Sequence, residues 1–373
     1  MVVPALFKLE PKESLDELYN FEEEIKMLRL VYETGRVAAV LGLRRTGKSS
    51  LVKSFLNSFN VPHIYIDVRR AAVAAGRVTA RGFAAELGRA LTDLLRREDS
   101  LKGKLIRALG SISGVSVSLP TLSVSLSWGR GRADLAALLE AVNRAAEEAG
   151  RRVALAIDEV QELRWLGVGV AKLLAYIYDN LPNIVVIVTG SEVGLVHDVL
   201  RLGDPESPLY GRAVVEIKMK RLTREQALDF LRRGLSEAGM RPPERELEEA
   251  VDLLDGIIGW LTYYGWARSS GIGSLEEIAD TAARQEAAEL EKLLVKSRAE
   301  ARYRAILKAA ALRPMRWAEI KRAVEAQEGA EIDDKNFTEL IRHLVKMGIL
   351  EKTGEHYAIA DPIVRRAVEK YLR

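Results

Sequence analysis

Eight consecutive residues, Gly42-Leu43-Arg44-Arg45-Thr46-Gly47-Lys48-Ser49, constrain this chain more than any other stretch. They complete the pattern G-x-x-x-x-G-K-[ST], which has chemical meaning only between a buried strand and the start of a helix. Both neighbours are present. Val37 to Leu41 is an uninterrupted apolar run, and Ser50 to Phe59 has helical spacing. Glycines let the backbone curl so that successive N–H groups face phosphate oxygens, and the helix N-terminus adds partial positive charge. Gly42, Leu43, Arg44, Arg45, Thr46, Gly47, Lys48, Ser49 and Ser50 form the expected nucleotide-binding set. Within it Lys48 reaches the β- and γ-phosphates and the Ser49 hydroxyl meets Mg²⁺.

A second element completes the chemistry. Val153 to Ile157 is an apolar strand ending in Asp158-Glu159. Asp158, at the strand tip, is the expected partner of Ser49 in holding Mg²⁺. Glu159 is placed to orient and polarise an attacking water, which favours hydrolysis over transfer to another acceptor. The next apolar run ends Thr189-Gly190-Ser191, and either hydroxyl is a candidate for sensing the γ-phosphate or placing the water. Helix capping is the plainer use of Ser191. Arg212, just before the last apolar run of this half, is a candidate γ-phosphate contact, in the same chain or across an oligomer interface. No Asn-Lys-x-Asp guanine-reading motif occurs, so ATP is the expected nucleotide.

Five strand-like runs (Val37 to Leu41, Val61 to Val68, Val153 to Ile157, Ile184 to Val188, Ala213 to Ile217) alternate with helical stretches. That alternation predicts an α/β fold with a parallel sheet covered on both faces. Residues 1–220 form the expected ATPase core. Ser alternates with Ile, Val or Leu from Ser111 to Trp128 around Pro120-Thr121, predicting an inserted β-hairpin at an edge of that core. Capping boxes at Thr223 to Gln226 and Ser274 to Glu277 open helices of an expected helical lid, 221–296. From 297 to 373 the order is three helices and a two-stranded hairpin, a winged helix-turn-helix pattern. In its third helix, Asp334 to Met347, Phe337, Leu340, Ile341, Leu344 and Val345 are spaced for burial. Lys335, Asn336, Thr338, Arg342, His343 and Lys346 lie on the opposite face, and all but His343 are the candidate DNA contacts. From Ala301 onward 15 Lys/Arg stand against 11 Asp/Glu, an excess too small to choose double-stranded DNA over a protein partner.

Composition narrows the setting. The chain has no cysteine, which excludes disulfides and thiolate metal sites, and its net charge of +3 argues for no particular partner. Acidic residues near the N-terminus and the lack of any apolar run near ~20 residues predict a cytoplasmic protein with no membrane contact.

The double arginine before Thr46-Gly47-Lys48-Ser49 resembles the archaeal ATPase family, a branch of the AAA+/STAND group of P-loop switches. Tyr65-Ile66-Asp67, Ala156-Ile157-Asp158-Glu159, Gly190-Ser191, Pro208-Leu209-Tyr210-Gly211-Arg212 and Phe230 also fit it. The resemblance covers nearly the whole chain. It implies the sheet order 5-1-4-3-2 and a glutamate-assisted ATPase. Two positions depart from the family pattern. Phe21-Glu22-Glu23-Glu24 lacks the arginine expected near adenine, and Ile258 stands where the lid usually carries proline. The expected function is an ATP-hydrolysing switch that couples nucleotide state to the winged helix, with homo-oligomerisation left open. The alternatives are a DNA-binding regulator and a protein-docking scaffold, each holding ATP as a structural ligand.

Overall fold

The computed structural model describes residues 4–73, 75–127, 134–166, 169–295 and 297–372. Trp128, at the end of the expected hairpin, and Lys296, at the expected lid boundary, lie outside them. The first half runs α1 (Glu22–Thr34), β1 (Val37–Leu41), α2 (Lys48–Ser58), β2 (His63–Asp67), α3 (Ala80–Arg97), α4 (Asp99–Gly110), β3 (Val115–Ser118) and β4 (Ser123–Leu126). It continues with α5 (Leu135–Glu148), β5 (Val153–Asp158), α6 (Val170–Asn180), β6 (Ile184–Gly190), α7 (Val193–Leu200) and β7 (Val214–Lys218).

Five of these strands form one parallel sheet in the order β2-β5-β6-β1-β7. Numbered without the hairpin strands, that is the expected 5-1-4-3-2. Every residue of β1, β5 and β6 is buried, as apolar runs covered on both faces require. Alternate side chains serve opposite faces. Val37, Ala39 and Leu41 pack with α3, α5 and α6, whereas Ala38 and Val40 pack with α1 and α2. The β3–β4 hairpin pairs only with itself and lies on α3. There the Val124 N–H donates to Thr92 Oγ1 at 2.8 Å. Gly88 permits this approach, since a Cβ at that position would sit 2.8 Å from the Val124 carbonyl oxygen.

The second unit contains α8 (Arg224–Glu237), α9 (Glu244–Leu254), α10 (Ile258–Ser269) and α11 (Leu275–Leu294), and both expected capping boxes form. Its core also takes Leu6 and Phe7 from the N-terminal segment, inside the 1–220 range expected to form the ATPase core. Phe7 wedges between α8 and α10 because Gly234 and Gly265 leave room: a Cβ there would stand 2.2 and 2.3 Å from the ring. The third unit is α12 (Glu300–Leu312), β8 (Met315–Arg316), α13 (Trp317–Glu328), α14 (Asp334–Lys346), β9 (Leu350–Thr353), β10 (His356–Ile359) and α15 (Pro362–Lys370). Strand β8 is too short to register as a periodic run; it pairs with β10 to make the wing three-stranded. Ile363 and Ala367 of α15 enter the helical core, and Leu290 and Leu294 of α11 enter the winged-helix core, so the two units share their boundary.

The winged helix also touches the sheet unit. Lys346 Nζ donates to both carboxylate oxygens of Asp198 on α7, at 2.7 and 2.9 Å. A Cβ at Gly194 would lie 2.6 Å from Lys346 Cα, so α7 and α14 meet nearly backbone to backbone.

Candidate nucleotide cleft

The loop between β1 and α2 forms the floor of a cavity of about 800 Å³ bounded by the sheet unit, the N-terminal segment, α10 and α11. Gly47 adopts φ +87°, and Phe21 and Ile258 stand over it; a Cβ here would meet the Phe21 ring at 3.0 Å. The two departures from the family pattern therefore sit together, at an apolar end also lined by Leu18, Tyr19 and Tyr263.

Lys48, Ser49, Glu159 and Ser191 line the polar end. Lys48 is 5% exposed and, among the described residues, donates only to the Gly42 and Leu43 carbonyl oxygens, at 3.0 and 2.6 Å. Burial lowers its pKa to about 8, against the opposing pull of Glu159 and Asp158. Ser49 Oγ donates to Asp158 Oδ2 at 2.8 Å, and Tyr65, from β2, donates to the same oxygen at 2.7 Å. Thr189 donates to Asp158 Oδ1.

Glu159 follows β5 at φ +58°, a left-handed conformation costly for a residue with a Cβ. Three donors hold its Oε2: Gln161 Nε2 at 2.6 Å, Ser191 Oγ at 2.8 Å and Ser191 N at 3.2 Å. Burial alone raises its pKa, but Lys48, Gln161, Arg69 and Ser191 outweigh burial and hold it below the usual carboxylate range. Among the described residues Oε1 meets only the Arg69 guanidinium, at 3.8 Å.

The sequence candidates divide accordingly. Lys48, Ser49, Asp158, Glu159 and Ser191 converge. Ser191 does not cap α7, whose N-cap is Glu192; it anchors Glu159 instead. Thr189 is 1% exposed and accepts from the Glu159 N–H at 3.1 Å while holding Asp158, so it braces the acidic pair from beneath rather than facing the cleft. Arg212 is not brought to the cleft: Asp179 on α6 holds its guanidinium at 2.5 and 2.9 Å, which removes the expected same-chain contact. Arg44 pairs with Glu289 at 2.8 Å and Glu192 at 3.5 Å. Arg45, at φ +63°, pairs with Glu286 at 3.0 Å and lies over Trp260. Both arginines are exposed yet ion-paired. Thr46 hydrogen-bonds Leu43 O, and Ser50 Oγ accepts from Lys12 N. Arg69 and Gln161 were not singled out from sequence. A basic residue two positions beyond Tyr65-Ile66-Asp67 was the available signal for Arg69.

The residues present suit Mg²⁺ and a triphosphate. A hydroxyl and a carboxylate oxygen 2.8 Å apart are hard donors. Among the described residues no three His, Cys, Asp or Glu side chains cluster as a metal cage. The buried ammonium of Lys48, which donates to two carbonyl oxygens, suits an anionic partner.

On the candidate DNA face, Lys335 and Asn336 are exposed. Thr338 bonds back to Asp334 O, Arg342 pairs with Glu339, and Lys346 is taken by Asp198. Among the described residues no helix is long and apolar enough to cross a membrane.

The fold and this site define a P-loop ATPase carrying a C-terminal winged helix. More particularly, the chain belongs to the archaeal ATPase family: the "ATPase domain predominantly from Archaea" matches residues 18–263. The C-terminal winged helix-turn-helix domain of MCM proteins matches residues 297–360. A Walker-type ATPase of Pyrococcus abyssi shares 35% identity over 98% of this chain and 99% of its own, with a TM-score of 0.80. The Aeropyrum pernix ORC2 protein, solved in ADPNP–ADP complexes, covers 97% of this chain and 95% of its own at TM-score 0.61. Its 15% identity supports the fold alone. A search of curated proteins finds no match.

Proposed function

We propose that this ATPase is a STAND-like switch in which Mg²⁺-ATP in the cleft sets the position of the winged helix. The division into an ATPase core (1–220), a helical lid (221–296) and a winged helix (297–373) is part of that reading. One observation carries it. Arg45 of the phosphate loop is clamped by Trp260 and Glu286 of the lid, and Trp260 in turn donates its indole N–H to Asp361, the N-cap of α15. A loop that changes shape around phosphates therefore has a packed route to the C-terminal unit.

In this account Lys48 binds the β- and γ-phosphates, and Ser49 with Asp158 holds Mg²⁺, which supplies charge neutralisation on the phosphates when bound. Ser191 and Gln161 fix Glu159 so that its Oε1 faces the attacking water. The water oxygen bonds to the γ-phosphorus, the bond to the bridging oxygen breaks, ADP leaves with the electron pair, and Glu159 accepts the water proton. The reading sets the protein in the cytoplasm, where ATP is supplied. Nucleotide-dependent change in the distance between α7 and α14, measured by spin labels on each, tests it. A distance identical with and without ATP would count against a switch.

DNA contact through α14 is a second reading, favoured by the exposed Lys335 and Asn336 at its start and by the match to MCM winged helices. Docking of Lys346 on Asp198 covers the other end of that helix, so full access to a groove requires the units to part. A protein partner at the same face, and a homo-oligomer in which Arg212 acts on a neighbour's nucleotide, remain readings of the same surfaces.

A further inference from the structure

We infer that Arg69 is the same-chain cation that binds the γ-phosphate and stabilises its transfer, in the place where sequence pointed to Arg212. The inference rests on the nucleotide reading of the cleft. Arg69 follows β2, whose register sets Asp67 beside Asp158. Its guanidinium stands 3.8 Å from Asp158 Oδ2 and 3.8 Å from Glu159 Oε1, between the oxygen facing Ser49 and the oxygen left open for water.

The other arginines lining the cleft are committed. Arg44 is 2.8 Å from Glu289, and Arg45 is 3.0 Å from Glu286 with Trp260 beneath it. Arg69 holds its side chain more loosely. Its closest carboxylate is its neighbour Asp67 at 3.4 Å, its contacts to the acidic pair are too long for hydrogen bonds, and its side chain is 59% exposed. It lines both the large cavity and a smaller one of about 170 Å³ beside Ser49 and Asp158. Among the described residues only the Nε of its guanidinium makes a hydrogen bond, to Asp67, so its two terminal nitrogens at that junction gain strong charge-assisted bonds from a γ-phosphate.

The chemistry asks for such a group. As the water–phosphorus bond forms and the bond to the bridging oxygen breaks, negative charge spreads over the γ-oxygens and onto the departing ADP, while the water proton moves to Glu159. Lys48 is the cation that the loop itself brings to the phosphates. An arginine at the γ-oxygens is worth roughly 10³–10⁵ in turnover in related chemistry.

The test compares wild type with Arg69→Ala and Arg69→Lys, measuring single-turnover hydrolysis and the affinities for ATP and ADP separately. Because the side chain is largely exposed, both variants should fold, and unchanged ADP affinity verifies that they have. The expected result is a fall in single-turnover rate of about 10²-fold or more for Arg69→Ala, partly restored in Arg69→Lys. ATP affinity should fall several-fold against an ADP affinity that stays put. Turnover and ATP-over-ADP preference both within about threefold of wild type would overturn the role and leave Arg69 an ion-pair partner of the acidic pair. Equal losses for ATP and ADP would overturn it too, by making the residue a general support of the cleft. Wild type that binds neither nucleotide would instead remove the underlying reading of the site.

Discussion

The Arg45 guanidinium carbon lies 3.9 Å from the centroid of the Trp260 ring, stacking the phosphate loop on the first turn of α10. The Gly259 N–H donates to Arg45 O at 2.9 Å, and a Cβ at Gly259 would stand 2.6 Å from Arg45 Cβ. The loop is thus bonded to α10 and α11 through backbone as well as through charge and ring. Strain at Arg45, a non-glycine residue at positive φ, is held in place by these contacts.

Trp260 is 1% exposed and links three units, so Trp260→Ala should cost roughly 3–5 kcal/mol. It also strips a donor from the buried Asp361, whose pKa burial already raises against the Trp260 bond. Urea denaturation checks the loss. A conservative Trp260→Phe should keep most of the packing yet still cost stability, because the indole N–H is gone.

Gly259→Ala should act mainly on nucleotide binding. The added methyl drives into the Arg45 backbone, which must shift to accommodate it. ATP affinity measured by calorimetry should fall by about tenfold or more, the effect expected when backbone donors to phosphate are displaced. Undiminished affinity would mean that the loop relaxes freely.

Ammonium burial makes a pH prediction. Lys48 titrates near 8 in the folded nucleotide-free protein, below its ordinary 10.5. Below pH 8 both folded and unfolded forms hold the proton, and the folded form bears the full cost of burying it. Between about 8 and 10.5 the unfolded chain holds more protons, so stability should rise with pH across that window, by up to on the order of 3 kcal/mol. ATP acts oppositely: phosphate favours the charged amine, so binding should take up a proton above pH 8 and weaken as pH rises. Calorimetry in buffers of different ionisation enthalpy measures that uptake, and Lys48→Ala should abolish both binding and uptake.

Asp198→Asn should loosen the winged helix from α7 by removing the carboxylate that holds Lys346 at 2.7 Å. The pair is partly exposed, so its loss should cost at most about 1 kcal/mol of stability. Under the DNA reading, affinity for duplex DNA should increase and should weaken steeply with salt. Hydroxyl-radical footprinting of α14 with and without the substitution reads the exposure directly.

What sequence disclosed and what it withheld follow one physical line. Gly42 to Ser49 and Val153 to Glu159 were legible because a phosphate loop and a buried strand are written in consecutive residues. The same holds for the capping boxes at Thr223 and Ser274. Phe7 was placed in the expected ATPase core because its seats, Gly234 and Gly265, lie more than two hundred positions away. Arg212 was read toward the γ-phosphate because its partner Asp179, on another helix, is invisible without the fold. Arg69 went unmarked for the same reason: its meaning depends on the β2–β5 register that brings it to Asp158.

Glutamate at position 159 is where the account is most exposed. Steady-state ATP hydrolysis by wild type beside Glu159→Gln, with ATP affinity measured in parallel, is the direct measurement. The account predicts turnover in wild type, a loss of about 10²–10⁴-fold in Glu159→Gln, and ATP affinity little changed between them. An equal rate in the two proteins would contradict the assignment of Glu159 to the attacking water.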